Sequence, residues 1–220
     1  DFTAMYPNLM ILHNLSPDTF IGPDESPPKD ITVVPEVNHR FRKDPSGFYK
    51  TVLASLIDVR EHIRKQLRKL DPKTVEYKIL KEREKAVKVI TNATYGYAGW
   101  VGARWYVREV AESAAAFGRA TIQEVIKTAE KTGLEVIYSD TDAIFVKYDA
   151  NRIKLLLKWV KDELNMEIRP DKVYERIFFT EAKKRYAGLL PDGRLDIVGL
   201  EVMRGDWAAV AKHVQEEVLE

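Results

Sequence analysis

The segment LEVIYSDTDAIFVK, residues 134–147, carries the clearest structural pattern in the chain. Apolar residues flank a central Ser-Asp-Thr-Asp on both sides, in the short runs that are typical of β-strands. The four polar residues favour a tight turn. We therefore predict an antiparallel β-hairpin whose tip, residues 139–142, carries the carboxylates of Asp140 and Asp142.

Two carboxylates one residue apart repel each other, and a cation beside them relieves that repulsion. Hard divalent cations such as Mg²⁺ prefer these oxygen ligands. Asp1 supplies a third carboxylate at the edge of an apolar segment, and it matters only if it folds next to Asp142. Because Ser and Asp are also ordinary turn residues, the hairpin alone fits a metal site and a plain turn equally well.

Helical patterns precede the hairpin. Residues 46–70 have apolar side chains at steps of three and four, which predicts a helix. Asp71-Pro72 breaks this pattern and resembles the N-cap and first residue of a second helix, which we expect to end at Gly96. Such a short connection makes the two helices antiparallel. A third helix is predicted over residues 103–131, closed by Thr132-Gly133.

The remaining segments complete an α+β pattern. Residues 17–35 contain five prolines and should be extended or turn-like rather than helical. Beyond the hairpin we predict a helix at 153–164, strands at 173–180, 185–189 and 195–200, and a final helix capped by Asp206. The predicted fold class is therefore α+β, with an antiparallel helical hairpin projecting from a small antiparallel sheet that is packed with helices.

The composition excludes some classes of protein and leaves others open. The chain has 220 residues and no cysteine, so it has neither a disulfide framework nor a thiolate metal site. It has no apolar run long enough to span a membrane, so we expect no membrane partner. With 35 Lys and Arg against 34 Asp and Glu, the net charge is +1, and a polyanionic partner must be read from how charges are grouped.

Three groups of residues that include cations suit phosphate. Lys88, Asn92 and Tyr95 share one face of the second helix, which suits a ligand with phosphate at one end and a ring at the other. On the first helix Arg60 and Arg64 also share a face, although a solvated basic face is the simpler explanation for the arginines alone. Lys183-Lys184-Arg185-Tyr186 is a basic cluster of the kind that contacts nucleic-acid backbones, and it is also common on protein surfaces.

Four motifs occur in one order along the chain: DFxxxYP at 1–7, KxxxNxxYG at 88–96, YxDTD at 138–142 and KKRY at 183–186. In this order they make the chain resemble the archaeal-type family B DNA polymerases, from its first residue to its last. The resemblance implies a first part of a palm domain at 1–45, fingers at 46–98, a second part of the palm at 99–203 and the start of a thumb at 204–220.

The resemblance implies two-metal transfer of a nucleotide from a dNTP to a primer 3′-hydroxyl. Asp1 and Asp142 are then ligands of two Mg²⁺ ions, for which Mn²⁺ is a substitute. Phe2 lends a backbone carbonyl, and Asp140 is an ancillary carboxylate.

It also implies roles for residues that bind substrates. The amides of Ala4 and Met5 face the triphosphate, and Tyr6 is the steric gate that excludes a 2′-hydroxyl. Tyr95 lies beneath the nascent base pair. The phosphate oxygens are held by Arg60, Lys88 and Asn92, and the DNA is contacted by Thr141, Gly96, Lys183, Lys184, Arg185 and Tyr186.

Two residues depart from the family pattern. Ala4 and Ala93 stand where the family usually has serine. The contact at position 4 is made by the backbone amide, so we expect the loss of that hydroxyl to be mild.

The implied partners are primer–template DNA, dNTPs, the other polymerase domains and, as a further candidate, a sliding clamp, in a cytoplasmic, nucleoid-associated enzyme. We expect the chain alone to polymerise weakly or not at all, because the family's N-terminal, exonuclease and most thumb regions are not in it. It could be a gene segment or the small subunit of a split polymerase. Two alternatives are a non-catalytic nucleic-acid-binding scaffold and an unrelated metal-binding protein.

Overall fold

The computed structural model describes residues 1–219. Its helices are α1 (Met5–Leu12), α2 (Phe48–Leu67), α3 (Val75–Ala98), α4 (Arg108–Lys131), α5 (Ala150–Leu164) and α6 (Ala209–Leu219). Its strands are β1 (Phe20–Ile21), β2 (Ile31–Val33), β3 (Arg40–Arg42), β4 (Val136–Asp140), β5 (Ala143–Val146), β6 (Arg176–Phe179), β7 (Tyr186–Leu189) and β8 (Leu195–Val198). The predicted α+β class is confirmed.

The strands form three small antiparallel sheets rather than one. The first has the order β1-β3-β2, and the proline-rich segment supplies its strands β1 and β2, which agrees with the prediction that this segment is extended. The predicted hairpin is the second, β4-β5, and the three later strands form the third, β6-β7-β8. The turn at 191–193, between β7 and β8, has Gly193 at φ 81°, a conformation that glycine adopts without strain.

Helices α2 and α3 form the predicted hairpin, and their ends differ from the prediction. Asp71-Pro72 does not begin α3. The N-cap is Thr74, whose hydroxyl accepts the amide of Tyr77 at 3.2 Å, while Asp71 accepts the amide of Lys73 in the preceding turn at 2.9 Å. Nor does Gly96 end this helix, which continues to a fully buried Ala98.

The third and last helices begin later than predicted. Residues 103–107 are not helical, and α4 begins at Arg108. Its predicted end at Thr132-Gly133 is confirmed, with Gly133 at φ 81°. Helix α6 begins at Ala209, and Asp206 does not cap it, because the carboxylate instead accepts both Nε and Nη2 of Arg204 at 3.1 Å.

The core has two clusters that meet beside α1. One lies between α1, α4 and α5 and includes the fully buried Val125 and Val160. The other lies between α1, α2 and α4 and includes Phe41 and Leu53. Tyr6 packs against both clusters, so α1 holds this residue at their junction. Among residues 1–219 no helix has the length and apolar character needed to cross a membrane.

Candidate active site

The acidic hairpin has a strained tip. Asp140 and Ala143 are paired across β4 and β5, so Thr141 and Asp142 form a two-residue turn. Thr141 has φ 53°, which is rare for a β-branched residue. The turn is held by a 2.7 Å bond from the amide of Asp142 to the carbonyl of Asp140 and by the Ser139 hydroxyl, which donates to Ala143 at 3.1 Å. Both carboxylates are thereby fixed at one end of the hairpin.

The first residues of the chain lie directly against this tip. The amide of Phe2 donates to the carbonyl of Asp142 at 2.9 Å. On its other edge the segment pairs with the strand-like residues that follow α5: Phe2 is bridged to Ile168, and the amide of Arg169 donates to the backbone carbonyl of Asp1 at 2.9 Å. The structure thus places Asp1 beside Asp142, as the metal-site interpretation requires.

The electrostatics of the tip fit a cation. Burial raises the pKa of Asp142, a bond to its own backbone amide and the charge of the Asp1 ammonium group lower it, the Asp140 carboxylate raises it, and Lys184 lowers it. A carboxylate with a raised pKa is one that an added positive charge would stabilise. Asp1 and Asp142 therefore fit divalent-cation ligands in type, and the bond from Phe2 to Asp142 joins the two segments that carry them. Residues 1–219 contain no group of three or more His, Cys, Asp or Glu side chains that could hold a metal, so Asp140 does not complete a preformed triad.

Helix α1 presents its N-terminus at the same place. Its N-cap, Ala4, is in the left-handed conformation at φ 51° and makes no side-chain capping bond. The first amides of a helix have no intrahelical partner and carry the positive end of its dipole, which favours anions. The predicted contact of the Ala4 and Met5 amides with a triphosphate agrees with this arrangement and stays a prediction.

Two tyrosines from different elements stack beside the acidic tip. The rings of Tyr6 and Tyr95 are 4.2 Å apart between centroids, with planes 10° apart. Burial raises the pKa of Tyr6, Tyr95 and then Asp142 raise it further, and Arg119 lowers it. The structure therefore brings the predicted steric gate and the predicted base-pair sensor into contact, close to the acidic turn.

Beyond this stack, the rest of the predicted face of α3 is open. Lys88 and Asn92 are exposed, and Gly96 is exposed with no atom within 4 Å of the point where a Cβ would lie. Ala93, which departs from the family pattern, is also exposed. Arg60 on α2 is half-buried rather than freely solvated, because its guanidinium is paired with Glu84 of α3 at 2.8 Å.

The basic cluster at 183–186 lies between β6 and β7 and divides into two parts. Lys183 and Lys184 are exposed, and the amide of Lys184 donates to the Tyr138 hydroxyl of the acidic hairpin at 3.1 Å. Arg185 points inward, where its guanidinium pairs with Glu201 and its Nε is buried without a hydrogen-bond partner. The cluster is thus attached to the acidic hairpin, and of its three cations the two lysines face solvent.

Tyr186 belongs to an aromatic cluster that we define by Tyr138, Phe145, Phe179 and Tyr186. Its ring centroid is 5.3 Å from that of Phe145 on β5 and 5.7 Å from that of Phe179 on β6. The aromatic cluster therefore joins the acidic hairpin to the sheet β6-β7-β8.

Sequence reasoning missed three residues beside the site. A Cβ at Gly118 would lie 3.0 Å from the Tyr6 ring, and a glycine inside a helix is a usable signal of such close packing. Arg119 donates to Glu36 at 3.0 Å and lowers the pKa of Tyr6. The burial of Glu84 depends on which residue of α2 faces it, and this cannot be read from α3 alone.

Comparison with known proteins places these features in a family. The family model described as DNA polymerase family B matches residues 1–220. The chain is 49% identical to DNA polymerase 2 of Aeropyrum pernix and 47% identical to a DNA polymerase of Archaeoglobus fulgidus, covering 100% of this chain and 28% of each relative. The structure of the family B DNA polymerase from Pyrobaculum calidifontis matches all of the chain with a TM-score of 0.84 and 52% identity, over 28% of that protein.

Proposed function

Because the chain belongs to DNA polymerase family B, we propose that it contains the nucleotidyl-transfer centre of a DNA-directed DNA polymerase. The observation that carries the proposal is the hydrogen bond from Phe2 to Asp142, since it joins the first and third motifs into one site. The chain spans 28% of the length of the curated relatives named above, so the activity is proposed for the polymerase of which these residues form the centre.

Asp1 and Asp142 are the proposed ligands of two Mg²⁺ ions, with Asp140 in a supporting role and Mn²⁺ as a substitute. The N–H and C=O of an extended residue point to the same neighbouring strand, so the Phe2 carbonyl faces the acidic turn, as its amide does. When bound, the ions would lower the pKa of the primer hydroxyl and neutralise charge on the triphosphate and departing pyrophosphate.

The protein's own groups bind and orient the dNTP. We assign the triphosphate to the N-terminal amides at Ala4 and Met5 and to the side chains of Lys88, Asn92 and Arg60, because cations and free amides suit phosphate oxygens. The stacked rings of Tyr6 and Tyr95 then form the floor of the site. In this arrangement Tyr6 lies under the sugar, where its ring excludes a 2′-hydroxyl, and Tyr95 lies under the new base pair.

Primer–template DNA is the second proposed substrate. Thr141, Lys183 and Lys184 are exposed on or beside the acidic hairpin, and Gly96 is exposed on α3 next to Tyr95. We assign all four to contacts with the DNA backbone. Tyr186 and Arg185 are assigned to the same surface, with Arg185 supporting the loop through Glu201. In domain terms, residues 1–45 and 99–203 are the proposed palm, 46–98 the fingers and 204–220 the start of a thumb.

Primer extension by a chimera tests the proposal. Residues 1–220 replace the matching segment of the Pyrobaculum calidifontis polymerase, and extension with Mg²⁺ is measured beside an Asp142→Ala variant. We expect the chimera to extend primers. Asp142→Ala should lower the rate at least about a hundredfold, the scale on which active sites lose one electrostatic stabiliser.

Asp162→Ala is the matched control, because Asp162 is an exposed carboxylate on α5. It should leave extension unchanged. A folded chimera that fails to extend primers, or one that is indifferent to Asp142→Ala, would contradict the proposal and favour a non-catalytic scaffold.

A further inference from the structure

Glu84 is a buried charge in a helix whose other charged residues face solvent. Its side chain is only 8% exposed, although it lies in the middle of α3 among exposed Lys and Glu residues. Burying a carboxylate is unfavourable unless a partner compensates for the lost hydration. The residue that pairs with Glu84 is therefore held firmly, since breaking the pair would leave the Glu84 carboxylate buried and unpaired.

The partner is Arg60 of α2. Both Nε and Nη2 of Arg60 are 2.8 Å from one oxygen, Oε1, of Glu84, while the Nζ of Lys81 is 3.8 Å from the other oxygen. A guanidinium has five N–H groups, and these contacts engage only the edge of the guanidinium formed by Nε and Nη2. The side chain of Arg60 is more exposed than that of Glu84, at 21% against 8%, so part of it remains accessible to a ligand.

The pair lies in line with the proposed phosphate-binding residues. Glu84 precedes Lys88 by four residues and Asn92 by eight, so all three occupy neighbouring positions on one face of α3. Arg60 reaches the same face from α2. Its contact with Glu84 therefore lies one helical turn from Lys88 and about two turns from Asn92, the lysine and amide assigned to the triphosphate.

We propose that Glu84 is a positioning residue, which holds the guanidinium of Arg60 so that its free N–H groups face the triphosphate of the incoming dNTP. This inference rests on the proposed function and adds a specific residue to it. It opposes the simplest electrostatic expectation, in which a carboxylate near a phosphate site repels the ligand and its removal tightens binding. The two explanations differ in the sign of the effect.

The test uses the chimera described above with Glu84→Gln and Glu84→Asp. The KM for the dNTP is measured in primer extension. The Kd of the dNTP is measured on a primer ending in a dideoxynucleotide, where no reaction occurs. We expect both constants to rise about three- to tenfold with kcat within about twofold, a range typical of coupled neighbours. Glu84→Asp keeps the charge but withdraws the carboxylate, so positioning predicts a weaker affinity there as well.

Two comparisons make the test specific. Glu82→Gln is the control, because Glu82 is an exposed carboxylate on the same helix, paired with Lys85. It should leave both constants unchanged. In an Arg60→Gln background, Glu84→Gln should have no further effect, whereas a general weakening of the hairpin would persist there.

The outcomes separate the two proposals. Unchanged or lower KM and Kd in both Glu84 variants, or equal effects with and without Arg60, would overturn this inference while the chimera remains active. An inactive but folded parent chimera would overturn the proposed function, and this inference with it.

Discussion

At the scale of single residues, the site is surrounded by backbone that local preference does not explain. Ala4, Thr141 and Lys184 all have positive φ although none is glycine. Such residues are strained by about 1–3 kcal/mol each and persist where surrounding contacts hold them. Here those contacts include the bonds from Asp142 to Asp140 and from Lys184 to Tyr138. The motifs therefore predict which residues form the site, while long-range contacts set the backbone conformation there.

His13 provides a prediction about pH. It stacks on Phe117 at 3.6 Å, and burial lowers its pKa to about 4. Between pH 6.5 and 4 the unfolded chain takes up a proton at this residue and the folded chain does not, so stability falls as the pH falls. His13→Phe keeps an aromatic ring and removes the titration. The stability lost between about pH 7 and about pH 4.5 should shrink by on the order of 2 kcal/mol in urea unfolding of the chain.

His62→Phe is the control for this prediction, because His62 is exposed on α2. That variant should lose as much stability in acid as the parent chain. Equal acid sensitivity in His13→Phe and the parent would show that His13 is not the group responsible.

At the scale of elements, the presence of a helix or strand was easier to predict than the residues at which it begins and ends. The acidic hairpin, the antiparallel pair α2–α3 and the turn at 191–193 follow from periodicity and turn residues, which are local. The predicted start of α3 was wrong because Asp71 and Thr74 are both suitable N-cap residues, and it is Thr74 that bonds to the first turn of the helix. The predicted end of α3 was wrong because the helix continues past Gly96 to Ala98, whose side chain is buried in the core.

Gly96 gives the prediction that belongs to α3. It lies inside the helix, exposed, where an added methyl group would meet no protein atom. Gly96→Ala should therefore stabilise the chain by about 0.5–1 kcal/mol through helix propensity alone. If DNA approaches this backbone as proposed, the same methyl group should weaken primer–template binding by the chimera severalfold. Unfolding and equilibrium DNA binding measure the two effects.

Ile90→Ala is the matched control, because Ile90 is an exposed residue on a different face of α3. It should leave DNA affinity unchanged. Unaltered DNA binding in Gly96→Ala would remove Gly96 from the proposed DNA-binding surface.

At the scale of the whole molecule, the site lies where separate units meet. Tyr6 packs against both core clusters, Tyr95 reaches it from α3, and Asp142 lies on the acidic hairpin. The order of motifs predicted this meeting through resemblance, since spacing alone could not bring Asp1 to Asp142. What the sequence could not supply were pairings that depend on packing: Glu84 with Arg60, and Arg185 with Glu201 rather than with solvent.

A substitution in the aromatic cluster tests whether the sheet β6-β7-β8 positions the lysines of the basic cluster. Phe179 contacts Tyr138, Phe145 and Tyr186 at centroid distances of 4.7, 5.2 and 5.7 Å. Phe179→Ala should destabilise the chain by about 2 kcal/mol, less than a fully buried phenylalanine would. It should also weaken primer–template binding by the chimera, because the loop that holds Lys184 against Tyr138 loses its support.

The neighbouring residue is the control for this last prediction. Phe178 points to the opposite face of β6 and is 57% exposed, so Phe178→Ala should change the stability of the chain by only about 0.5 kcal/mol. Urea unfolding compares the two variants, and a titration of DNA affinity against salt reports whether phosphate contacts are lost, since each lost contact reduces the salt dependence. If Phe179→Ala unfolds more easily but binds DNA with the parent's salt dependence, the aromatic cluster stabilises the fold without positioning the lysines. A loss of both would show that the packing of one aromatic ring sets the geometry of the DNA-binding surface.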